Sequence, residues 1–169
     1  LHQVSLWYNK ECKKDSLLPA KLRKESKLAF IANESSPSNL QKDVLRIFES
    51  LDSLGLVVVD EEANCNQTGY SLDFVIGTKN NQKDLAVEID GPSHFMNCSP
   101  TGATILKRRQ LSNLANRPLL SIPYWEWEEL SFNGYKPSIE RTEMDDKNEE
   151  KKKRKQFYIK ECLQKVSFL

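Results

Sequence analysis

The 169 residues carry 25 Lys and Arg against 24 Asp and Glu, a net charge of +1, and 29% of the side chains are charged. That balance excludes a protein that holds polyanions by bulk charge, so any nucleic-acid affinity has to come from a local patch. Runs of about 18 apolar residues are missing from the sequence, which excludes a hydrophobic membrane-spanning helix.

Cys12, Cys65, Cys98 and Cys162 lie far apart with no C-x-x-C pair. They read as reduced thiols rather than as a disulfide framework or a zinc site. His2 and His94 are the only histidines. The chain opens at Leu1 on a stretch with neither signal-peptide nor transit-peptide composition, and reads as a fragment of a longer protein.

Residues 1–55 read as helical. Leu6, Trp7, Leu17 and Leu18 give a weak apolar pattern broken by Lys13, Lys14 and Asp15. A stronger helix begins at Ser38, which forms a capping box with Gln41 and is followed by Leu40, Val44, Ile47, Phe48, Leu51 and Leu54 at helical spacing. Gly55 is expected to stop it. The period then changes: Leu56–Val59, Ser71–Ile76 and Asp84–Asp90 read as strands, the last two joined by an Asn- and Gly-containing turn centred on Asn80-Asn81. Gly91-Pro92 ends the third strand. A helix over Thr101–Asn116, a strand over Leu119–Tyr124 and a Trp-rich helical turn follow, so the fold expected is a mixed α/β layer with a crossover. Residues 139–155 alternate acids and bases in blocks and read as a solvated helix face or a disordered linker, closed by a short helix carrying Phe157, Ile159, Cys162, Leu163 and Val166.

The two central strands hold the chemistry. Alternation places Ala86, Glu88 and Asp90 on one face and Leu85, Val87 and Ile89 on the other. Symmetric pairing about Asn80-Asn81 sets Asp73 across from Glu88, so two or three carboxylates meet beside His94. Like charges this close need a cation, a divalent metal, a proton or open water to offset them. On the next helix Lys107 falls between Leu111 and Leu114 on the wheel and leans toward the sheet, whereas Arg108 and Arg109 lie outside that sector, freer to meet phosphates.

The strings Ala86-Val-Glu-Ile-Asp-Gly-Pro-Ser-His-Phe95, Leu106-Lys-Arg-Arg109 with Thr104 and Leu111, and Ile122-Pro-Tyr-Trp-Glu-Trp127 together resemble a RAP domain, over roughly Tyr70 to Phe132. The resemblance implies a fold similar to the PD-(D/E)XK and very-short-patch-repair endonucleases, a restriction-endonuclease-like mixed sheet flanked by helices. It divides the chain into a helical region (1–55), the RAP domain (56–138) and a charged linker with a C-terminal helix (139–169). It also implies a role in organellar, chiefly mitochondrial, RNA metabolism. In the nuclease pattern Asp73 matches the first acid and Glu88 the second. Asp90 stands where the usual lysine belongs, leaving Lys107 or His94 to substitute.

Three readings follow. In the first, the chain is a module that binds single-stranded organellar RNA in ribosomal or messenger RNA processing, stability or translation. Lys79, Lys83, Arg108, Arg109 and Arg117 then meet phosphates, and Tyr124, Trp125 or Trp127 stack on bases. RNA-processing or ribosomal proteins are its expected partners, and no membrane is involved. The second is a Mg²⁺- or Mn²⁺-dependent endoribonuclease with the metal on Asp73, Glu88 and Asp90 and with His94 or Lys107 assisting. The third is a protein-interaction scaffold on a degenerate nuclease fold.

Overall fold

The structure, a computed structural model, describes residues 1–32, 36–61, 63–78, 81–116, 118–131 and 141–168. At the N-terminus α1 (His2–Leu6) runs into a π-helical turn (Trp7–Glu11), followed by α2 (Ala20–Ile31) and α3 (Asn39–Glu49). Ser38 caps α3 as expected: its hydroxyl accepts from the Gln41 amide, and the Gln41 side chain accepts from the Ser38 amide. The helix ends earlier than the apolar spacing suggests. Ser50 closes it, Leu54 lies in a 3₁₀ turn over Asp52–Leu54, and Gly55 supplies the left-handed residue (φ 63°) that turns the chain into the sheet.

Strands β1 (Leu56–Glu61), β2 (Phe74–Thr78), β3 (Asn81–Asp90) and β6 (Leu119–Pro123) form one mixed sheet in the order β1-β2-β3-β6. The first three are antiparallel neighbours, and β6 lies parallel to β3. Between β3 and β6 the chain makes a 3₁₀ turn (Pro92–His94), a small hairpin of β4 (Phe95–Met96) and β5 (Ser99–Pro100), and α4 (Gly102–Ala115). Asn97 and Cys98 both take positive φ between the hairpin's strands, as a tight two-residue turn requires. Thr101 caps α4 through the Thr104 amide, and Asn116 ends it in the left-handed conformation. The helices α5 (Tyr124–Glu129) and α6 (Arg141–Lys165) close the chain.

The sheet is the middle layer, because alternation makes each strand two-faced. Phe74, Ile76, Leu85, Val87, Ile89, Leu120 and Ile122 point into a core completed by Val44, Ile47 and Phe48 of α3, Trp127 of α5, and Ile159 and Leu163 of α6. Val75 and Ala86 point the other way, into a smaller core with Leu6, Tyr70, Leu72 and Leu111 of α4. Burying a side chain such as Phe74 or Leu163 contributes about 1.5–3 kcal/mol, and both helical flanks take part in that burial.

Two expectations are revised. The turn between β2 and β3 is not centred on Asn80-Asn81: Thr78 pairs with Asn81 after an irregularity beyond Ile76, and residues 79–80 lie outside the described residues. The charged stretch is a helix from Arg141 onward, one of the two forms expected, but it is not wholly solvated, because one of its lysines is a core residue. Lys155 is 3% exposed, donates to Asp43 Oδ2 at 2.5 Å and lies 4.8 Å from the centre of the Trp127 ring. A lysine can enter a core when its ammonium finds a carboxylate and an aromatic face there.

Candidate nucleic-acid interface

The register of β2 and β3 pairs Phe74 with Val87 and Val75 with Ala86. One step beyond lie Asp73 and Glu88, the opposition expected from the sequence. Asp73 has left the ladder, but its side chain continues it. Oδ2 accepts the Ile89 N–H at 2.6 Å, a donor that β2 no longer satisfies, and Oδ1 accepts from Gln41 Nε2 at 2.5 Å. The capping box of α3 is thereby tied to the carboxylate row.

Glu88 and Asp90 are buried beneath α4, so open water does not relieve their repulsion. Protein cations do. Lys107 Nζ donates to Glu88 Oε2 at 2.5 Å, as its place on the helical wheel suggests. Arg108, expected to be free for phosphate, instead donates to Asp90 Oδ2 at 2.6 Å and to Ser121 Oγ at 2.6 Å. His94 Nδ1 meets the other Asp90 oxygen at 2.7 Å. The wheel misleads for Arg108 because the sheet ends beneath it: Asp90 is the last residue of β3, and a long guanidinium stem reaches past the leucine sector to find it. Arg109 is likewise engaged, with Glu11 at 3.0 Å.

These contacts divide the acids electrostatically. Burial pushes Glu88 up to about 7, with Lys107 opposing the shift. Asp90 is also penalised by burial, yet the bonds from His94, Ser121 and Arg108 prevail and hold it at about 2. Asp73 is raised by burial, against the opposing pull of the Ile89 amide. The bond to Asp90 raises His94.

Carboxylates are the donor type that Mg²⁺ or Mn²⁺ prefers, but this set does not fit an ion as arranged. Both oxygens of Asp90 and both of Asp73 are taken, and Glu88 Oε2 is held by Lys107. Only Glu88 Oε1 lacks a partner among these oxygens, and it is buried. Among the described residues no three His, Cys, Asp or Glu side chains are grouped to hold a metal. As arranged, Glu88 and Asp90 are engaged by internal ion pairs, and Asp73 by the Ile89 amide and the Gln41 side chain.

The two parallel strands β3 and β6 end side by side, Asp90 opposite Pro123. Crevices beyond the carboxyl ends of parallel strands are where α/β sheets hold ligands. Here the chain segments leaving both strands are aromatic. Phe95 and Trp125 pack edge to face with centroids 4.3 Å apart, and Tyr124 lies against Trp125 at 5.3 Å. Phe95, Arg108, Ser121 and Trp125 line an open cleft of about 460 Å³ that extends to Tyr158 of α6. The Arg108 guanidinium stands 6.0 Å from the Phe95 ring.

Trp125 is half-buried in the wall of this cleft and Tyr124, also half-buried, packs against it, but Trp127 is not available for stacking. It is 1% exposed, and its indole N–H donates to Asp43 Oδ2 at 2.8 Å. Two residues along a helix reverse the direction of a side chain, which sends Trp127 into the core. Lys79 and Arg117 lie outside the described residues, as does the side chain of Lys83. Phe95 and Ser121 are the contributors that sequence reasoning missed. Ser121 was visible as the single polar residue in the run Leu119-Leu120-Ser121-Ile122, sharing the Glu88 face.

Comparison with known proteins falls on the same segment. Residues 87–136 match the RAP domain family. The RAP match thus spans the Glu88–Asp90 end of β3, all of α4 and the aromatic turn after β6. A RAP domain-containing protein, chloroplastic, from Oryza sativa subsp. japonica is 36% identical over 102 residues, which are 58% of this chain and 14% of the relative. The RAP-matching segment is thus set in a mixed α/β fold, with α3 and α6 packed on the opposite face of the sheet. Among the described residues no helix is long and apolar enough to cross a membrane, and all four cysteines are free.

Proposed function

We propose that this chain is an RNA-binding module of organellar RNA processing, stability or translation, in which single-stranded RNA lies across the ends of β3 and β6. The observation that carries the reading is that one RAP-matching segment supplies both the Phe95–Trp125 wall of the cleft and the cation that lines it. Bases stack on Trp125, with Tyr124 packed against it, and the Arg108 guanidinium, already oriented by Asp90 and Ser121, lines the cleft. Ion pairing fixes the guanidinium before RNA arrives, which lowers the ordering cost of binding. The chloroplastic relative supports an organelle as the compartment; the finer assignment, mitochondrial and directed at ribosomal or messenger RNA, is part of the proposal.

The test is fluorescence anisotropy of the chain with labelled single-stranded RNA, with Mg²⁺, Mn²⁺ or EDTA, resolving the same samples on a denaturing gel. Salt-sensitive binding with intact RNA in every sample supports the proposal. Metal-dependent cutting would replace it with the endoribonuclease reading. Absence of binding at physiological salt would replace it with the protein scaffold.

A further inference from the structure

A second cleft, outside the RAP-matching segment, lies between the N-terminal helices. It has a volume of about 670 Å³, and its walls come from α1, the π-helical turn, residues 14–16, α2 and Gln67. A cleft of about 300–1,000 Å³ is the usual size for ligand sites. Its charge is lopsided. Lys10, Lys14, Arg23, Lys24 and Lys27 line it, with Asp15 as the one carboxylate. In a chain whose net charge is +1, this is a concentrated positive patch.

The cations are not spent on the protein's own acids. Lys27 donates to the Asn66 carbonyl at 3.0 Å, and Lys14 stands 5.7 Å from the Tyr8 ring. Among the described residues no ion pair engages Lys10, Arg23 or Lys24, all of them exposed. This contrasts with Lys107, Arg108, Arg109 and Lys155, each held by a carboxylate.

We infer that this cleft is a second RNA-backbone site, holding the phosphates of a single strand on Lys10, Lys14, Arg23, Lys24 and Lys27. The inference rests on the RNA-binding reading for the class of ligand and adds a surface which that reading does not contain. Several unpaired cations along one groove suit a chain of phosphates better than a single small anion, because each phosphate contact releases a counterion.

Labelled 20-mer oligouridine titrated at several salt concentrations against wild type, Arg23→Gln/Lys24→Gln and Trp125→Ala separates the two sites. The double variant changes only exposed side chains, and an unchanged melting temperature verifies its fold. Loss of two phosphate contacts should weaken binding tenfold or more and flatten the log–log salt slope by about 1.4, at roughly 0.7 per contact for single strands. Unchanged affinity and slope in the double variant, with Trp125→Ala weakened, would overturn the second site and leave the first standing. The reverse pattern would remove the first and keep the second. A wild-type chain that does not bind would overturn both.

Discussion

Lys107 Nζ sits 2.5 Å from Glu88 Oε2, so the cation that the carboxylate row needs arrives from a helix 19 residues downstream. The pair is a support for the buried strand end beneath α4. Removing one partner of such a pair leaves an uncompensated charge in the interior. Lys107→Met should therefore destabilise the chain by roughly 2–4 kcal/mol at pH 8, as read from urea denaturation. At pH 5 the loss should be smaller, because Glu88 there holds a proton and is neutral. Equal losses at the two pH values would show that the loss does not come from the charge on Glu88.

Glu88 also gives the fold a pH dependence of defined sign. Its carboxyl is raised from 4.5 to about 7, so the native state keeps a proton that the unfolded chain releases. That contribution is fully present below about pH 4.5 and is lost as the pH rises through 7. His94, raised above 6.5 by Asp90, acts in the same direction, its share disappearing as pH climbs through its raised value. Asp90 acts oppositely: held at about 2, it stabilises above pH 3.8 and ceases to as the pH falls toward 2. Thermal melts of Glu88→Gln should show a flatter decline between pH 4.5 and 7 than wild type. An identical decline would assign the titration to another group.

Asp73 stands in for a strand residue by accepting the Ile89 amide. Asp73→Ala leaves that N–H without its acceptor and should cost about 1–3 kcal/mol. Asp73→Asn keeps an acceptor oxygen and should recover much of the loss. Amide hydrogen exchange at Ile89 reports this directly: faster exchange is expected in the alanine variant and near-native protection in the asparagine variant. Native protection in Asp73→Ala would contradict the role.

How far the sequence could be read depended on how local the determining contact was. The Ser38–Gln41 cap, the Thr101–Asn116 helix and the strand register that runs through Phe74–Val87 toward Asp73 and Glu88 follow from spacing over a few residues or one hairpin register, and all three are present. The irregularity beyond Ile76 shifts the turn without disturbing the register at the far end of the hairpin. Lys155 was misread because its partner Asp43 lies 112 residues away, which no charge run reveals, and Arg108 because its long stem reaches past the leucine sector of its helix to Asp90 at the end of β3. Trp125 and Trp127 are alike in type and neighbours in sequence, and only the placement of α5 against the sheet separates a cleft residue from a core residue.

The buried lysine makes the C-terminal helix part of the fold. Lys155→Ala removes a charged hydrogen bond to Asp43 and the ammonium against Trp127, which should destabilise by roughly 2 kcal/mol. Lys152, exposed on the same helix, should tolerate alanine within about 0.5 kcal/mol. Chemical denaturation of the two variants side by side checks the contrast, and similar small effects would place α6 outside the cooperative unit.

The cleft at the ends of β3 and β6 is tested most directly by Trp125→Ala in an RNA titration at fixed salt. Trp125 is half-buried against Phe95, away from the Trp127 core, so the variant should stay folded. Stacking of one base is worth about 1–3 kcal/mol by alanine substitution, and binding should weaken by roughly fivefold to more than a hundredfold. An unchanged dissociation constant in a folded Trp125→Ala chain would contradict the assignment of this cleft as the RNA site.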